Sequence, residues 1–87
     1  MYELLSQELK EQMDEATFQR EVEPVWQGLA ALDIEGEMEA APLADWCGHM
    51  VLAGYGDLMK SLLQEALTLD EIIERVRYAH TMAFIQR

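Results

Sequence analysis

The chain has 87 residues, 51% of them hydrophobic, with 17 acidic against 6 basic side chains and a net charge of −11. That length allows one domain with a single core, so residues 1–87 are read as a single acidic helical domain, and the apolar content excludes a disordered acidic tail. A surface this negative repels nucleic acid and anionic membrane and attracts basic proteins, so direct nucleic-acid binding is excluded and a basic partner is expected.

Val, Ile and Thr are sparse beside Leu, Ala, Met, Glu and Gln, and there are only two prolines. That balance favours helix over sheet. Residues 2–22 carry a helical pattern in which Tyr2, Leu5, Leu9, Met13 and Ala16 share a face. Phe18 and Val22 start a second apolar strip that continues through Val25, Leu29 and Leu32. Pro24 interrupts that strip. The residue before a proline avoids helical angles, so a break or sharp kink is expected at Glu23, with Pro24 as the first residue of a second helix to about residue 32; whether it kinks one helix or separates two stays open. Gly28 within it marks a weak point or a close helix approach.

Residues 33–41 alternate acidic and small or apolar side chains, with Glu35, Glu37 and Glu39 at a period of two. No partner strand accompanies them, and they read as an acidic connector. Pro42 is expected to open a third helix to about residue 53, with Leu43, Trp46, Met50 and Ala53 on its inner face. Gly54 suits a left-handed C-terminal cap and Asp57 the next N-cap. A fourth helix, residues 58–66, would bury Leu58, Met59, Leu62, Leu63 and Ala66. The last helix has the strongest start signal. Thr68 and Glu71 form a capping box, and Leu67 with Ile72 a hydrophobic staple. Leu69, Ile72, Ile73, Val76, Ala79, His80, Ala83 and Phe84 share one sector as its core face. Tyr78, Met82 and Ile85 form a second apolar strip nearly opposite.

The fold expected is therefore all-α, a compact bundle of four to five short helices with the C-terminal helix central. Its expected core is Leu5, Leu9, Trp26, Leu29, Trp46, Met50, Leu62, Leu63, Ile72, Ile73, Val76 and Phe84.

Few residues carry the pattern of a chemical site. Asp45, Cys47 and His49 are all capable metal ligands. On a helix Asp45 and His49 lie one turn apart, but Cys47 points away from both, so the three do not converge. His80 sits on a core face without a nucleophile or carboxylate in a known local motif. Gly54 and Gly56 extend to no phosphate-binding loop, and no cofactor motif is present. Enzymatic activity is not expected. Cys47 is alone, so no internal disulfide forms, which fits a reducing compartment. The first residues show no basic stretch followed by an apolar run, and no segment is long and apolar enough to span a bilayer. The expectation is a soluble cytoplasmic protein.

Charge is the feature that exceeds background. The first 45 residues carry twelve acids against Lys10 and Arg20, and the rest carry five against Lys60, Arg75, Arg77 and Arg87. Glu8, Glu11, Asp14, Glu15, Glu21, Glu35, Glu37 and Glu39 are read as an acidic partner-binding surface. Two carboxylates per helical turn give roughly one charge per 2.7 Å of axis, the same order as duplex DNA with about one per 1.7 Å. The expected function is a non-enzymatic interaction module that binds a basic protein. Its most concrete form is a phage or mobile-element inhibitor that mimics nucleic acid and blocks a nucleic-acid-binding protein. The alternative is a homo-oligomeric structural or assembly factor, a homodimer seamed by Tyr78, Met82 and Ile85 of the C-terminal helix.

Overall fold

A computed structural model describes residues 2–85 and is 77% helical, with no strand among them. A short 3-10 turn, Tyr2–Leu4, leads into α1, Gln7–Gln12. α2 is one continuous helix in three stretches: Glu15–Thr17, a wider π-turn at Phe18–Val22, and Glu23–Leu32. α3 is Ala40–Leu52, α4 is Gly56–Leu63 and α5 is Leu69–Ile85. The radius of gyration is 12.6 Å, near the value of about 12 Å expected for a compact chain of this length.

The first break falls ten residues earlier than expected. Met13 is extended, at φ −147°, and ends α1. Asp14 then caps α2, its Oδ1 accepting the Thr17 N–H at 2.8 Å. The Tyr2 hydroxyl donates to the Met13 carbonyl at 2.7 Å and holds the corner. The corner sits where the first apolar strip gives way to the second, so both strips reach the same core: Leu5, Leu9 and Met13 from one side, Phe18 and Val22 from the other.

Pro24 does not break the chain. A proline inside an α-helix lacks one N–H, and its ring collides with the carbonyl four residues back. The π-turn solves both problems. The Glu23 N–H donates to the Phe18 carbonyl, five residues back, and the turn ahead of the ring is widened. The helix passes through Pro24 with its apolar face intact.

The other boundaries differ by small steps. α3 begins at Ala40, so Pro42 sits inside its first turn. α4 begins at Gly56, and Asp57 lies in its first turn instead of capping it. The end of α3 is as expected. Gly54 takes φ +97°, its N–H donating to Val51 O and that of Tyr55 to Met50 O, which is a Schellman closure. At the start of α5 the capping box forms: the Glu71 N–H donates to Thr68 Oγ1 at 3.1 Å, and the Thr68 N–H donates to Glu71 Oε1 at 2.9 Å.

The bundle is all-α as expected, but the central helix is α2. Phe18, Val22, Val25 and Leu29 are fully buried, and α2 packs on both α3 and α4. Gly28 allows a close approach of α2 to α4: a Cβ there would stand 2.8 Å from Leu63 Cδ1. α5 buries Leu69, Ile72 and Val76 in its first half, against α4. Its second half lies at the edge, and Phe84 is 68% exposed where a core place was expected. Trp26, Trp46, Met50, Leu63 and Ile73 are half-buried against the core. Among the described residues no helix is long and apolar enough to cross a membrane.

Candidate functional site

The carboxylates expected at a partner surface stand at the surface, in more than one group. Glu8 and Glu11 lie exposed on α1, one turn apart. Glu15 is exposed at the start of α2, beside Asp14, whose carboxylate is engaged as a cap. Hydrogen bonds from Thr17, hydroxyl first and then backbone N–H, hold the Asp14 carboxyl below its ordinary value. Glu21 is half-buried and already met by cations, Arg20 Nε at 3.0 Å and Lys60 Nζ at 4.0 Å.

The acidic connector is folded back on itself, which removes the extended row of three glutamates. Asp33 Oδ1 accepts the Glu37 N–H at 3.1 Å, and its Oδ2 accepts the Met38 N–H at 2.9 Å. Gly36 permits the turn with φ +67°. The fold brings the side chains of Glu35 and Glu37 together. Their shared hydrogen bond raises the Glu37 carboxyl above its ordinary value, helped by the charges of Asp33 and Asp70. Glu39 leads into α3.

These groups sit on opposite flanks of α3. On one flank α1 meets it: the Ser6 N–H donates to Asp45 Oδ1 at 2.9 Å, and Leu9 lies over Gly48, where a Cβ would stand 2.8 Å from Leu9 Cδ1. On the other flank Trp46 and Met50 face α5. At 100° per residue these two sets are nearly opposed around the helix. The loop with Glu35 and Glu37 lies beside Thr68, Leu69 and Asp70, at the start of α5.

Asp45, Cys47 and His49 are placed as their spacing requires. His49 Nε2 lies 3.3 Å from Asp45 Oδ2 at the surface. Cys47 is buried on another side of the helix, and burial pushes its thiol up to about 12. Among the described residues no three metal-ligating side chains come together. His80, expected on a core face, is exposed, with its ring edge-on to Tyr55 at 5.4 Å between centroids.

His80 marks an edge of a groove of about 500 Å³ between α3 and α5. α3 supplies Pro42, Leu43, Trp46 and Met50, and α5 supplies Ile73, Arg77, His80 and Thr81; Met38 closes one end. The two helices run the same way, because the loop ahead of α3 meets the start of α5 while Ala53 and Tyr55 meet His80 and Phe84. Comparison with protein-family models, curated proteins and solved structures finds no match.

The groove is not legible in the sequence, because periodicity places Ile73 and His80 on the core face of the helix. α3 runs beside that face without packing closely on it, which leaves the groove open between them. The signal available was a cation at Arg77 one turn after Ile73, on the edge of an apolar face. The strip named as a candidate seam is uncovered: Tyr78 is 67% and Ile85 66% exposed, and Met82 is half-buried.

Proposed function

We propose that this protein is a non-enzymatic binding module whose carboxylates engage a basic surface of another protein. The most concrete target is a nucleic-acid-binding protein, whose phosphate-binding cations the carboxylates would occupy, as a phage or mobile-element inhibitor of the mimic type does. One observation supports this reading above the others. Glu8, Glu11, Glu15, Glu35, Glu37 and Glu39 are all exposed, and among the described residues none pairs with a cation. Carboxylates left unneutralised side by side repel each other, and a partner's Lys and Arg relieve that repulsion on binding. Two groups on opposite flanks of α3 fit a partner that reaches the molecule from two sides.

The test is capture of partners from the native host by the immobilised chain, eluted with a salt gradient. Wild type is expected to retain basic proteins that elute steeply with salt. Replacing Glu8, Glu11 and Glu15 by Gln, or Glu35, Glu37 and Glu39 by Gln, is expected to lower the eluting salt in each case. Elution of every partner from both variants at the wild-type salt concentration would reject the proposal.

A second reading rests on the exposed strip of α5. Tyr78, Met82 and Ile85 would seam two copies into a homodimer of a structural or assembly factor. Sedimentation would then show a dimer that Met82→Glu converts to a helical monomer. A wild-type monomer at tens of micromolar rejects it.

A further inference from the structure

The groove between α3 and α5 stands apart from the acidic groups described above. Of the 87 residues 17 are acidic, and none lines it. Met38, Pro42, Trp46, Met50 and Ile73 line it with apolar side chains over the buried Leu43, and Arg77, His80 and Thr81 line it with polar ones. Arg20, Lys60 and Arg75 each have a carboxylate within 4.0 Å; Arg77 has none among the described residues. The groove thus joins an unneutralised guanidinium to an apolar trough, in a chain with acids to spare.

We propose that this groove binds a small amphipathic carboxylic acid, one carboxylate on a compact apolar body. The carboxylate sits on the Arg77 guanidinium, whose planar fork matches two carboxylate oxygens. The body lies along Trp46, Met50 and Ile73. A volume of about 500 Å³ falls within the range of roughly 300–1,000 Å³ usual for small-ligand sites. Polarity is fixed by the far end. There Met38 is flanked in sequence by Glu37 and Glu39, whose charges disfavour an anionic head at that end. A wholly apolar occupant, such as a partner's leucine side chain, would cover Arg77 without pairing it, and leaving a covered charge unpaired is unfavourable. The acid is therefore the occupant that the charges favour. The site lies across α3 from the carboxylates of α1 and would operate whether or not they bind a protein.

The test uses the full chain, labelled with ¹⁵N, titrated with octanoate, octan-1-ol and octyltrimethylammonium. Octanoate is expected to give saturable shifts of the Trp46 indole N–H and the Ile73 and Arg77 amides, with the Trp26 indole unmoved. It should bind more tightly than the alcohol, and the ammonium should bind most weakly. Arg77→Gln, at an exposed position, is expected to weaken octanoate by about five- to tenfold and leave octan-1-ol unchanged. Equal affinity for acid and alcohol, or an Arg77→Gln variant that binds octanoate as before, would overturn the proposal and make the groove an anchor slot for a protein's apolar side chain. Absence of saturable shifts up to millimolar octanoate would overturn it as well.

Discussion

Thr68 and Glu71 place the start of α5 by satisfying two backbone donors reciprocally, at 3.1 and 2.9 Å. Loss of an N-cap hydroxyl costs about 1 kcal/mol. Thr68→Ala is therefore expected to destabilise the fold by about that amount in urea unfolding, and Thr68→Ser to restore most of it. Gly54 makes a different kind of contribution. Its φ is +97°, and a Cβ there meets nothing within 4 Å, so Gly54→Ala tests backbone conformation alone. A left-handed residue with a Cβ costs roughly 1–2 kcal/mol, and that loss is expected in the same assay. Cys47 shows burial acting on chemistry. Its thiol is pushed up to about 12 by burial, and the thiolate is the reactive form. In the native chain it should resist iodoacetamide at neutral pH and be alkylated only on unfolding, as mass spectrometry would show. Rapid alkylation under native conditions would mean that α3 opens locally.

Phe18 and Ile85 mark the extremes of what each helix contributes. Phe18 is fully buried in α2, and Ile85 is 66% exposed at the end of α5. Phe18→Ala is expected to cost about 3–5 kcal/mol, and Ile85→Ala less than about 0.5 kcal/mol. The reverse order would put the last helix at the centre after all. The helical periods and the cap of α5 were legible because they depend on neighbours three and four residues away. The Gly54 closure was legible for the same reason. Two features were not. At Pro24 local rules favour a break or sharp kink, because they set the cost of its missing N–H and do not include a wider turn upstream that bypasses it. The break at Met13 was visible only as a change of apolar strip, and the bond that fixes it comes from Tyr2, eleven residues away. Phe84 lies in the core sector by periodicity but is exposed, because periodicity gives a direction around a helix, while burial also requires a neighbour at that height. If the π-turn has absorbed the cost of Pro24, Pro24→Ala should change stability by less than about 1 kcal/mol, well short of the roughly 3 kcal/mol recovered when a proline is removed from a regular helix interior.

Charge acts on the molecule as a whole, and its effect on stability has a sign that can be worked out. The Glu37 carboxyl is raised in the native state by its hydrogen bond with Glu35 and by the nearby Asp33 and Asp70 charges. Between the ordinary value of 4.5 and that raised value, the native chain holds more protons than the unfolded one. Stability therefore increases as pH falls through this window. Relief of the general repulsion in a chain of net charge −11 acts in the same direction. Asp14 and Glu71 act oppositely. Each is lowered from its ordinary value, 3.8 and 4.5, by hydrogen bonds from Thr17 and Thr68. Their contribution is full above those ordinary values and is lost as pH falls through the lowered native ones. Urea midpoints measured from pH 7 downward should thus rise to a maximum in mild acid and then fall as Asp14 and Glu71 become protonated. Glu37→Gln should raise the midpoint at pH 7 and flatten the ascending arm, leaving the acid fall in place. A midpoint that declines steadily from neutral pH, or a variant that follows the wild-type curve throughout, would show that the glutamates of the connector do not repel one another in the folded chain, and the case for a surface awaiting a basic partner would weaken with it.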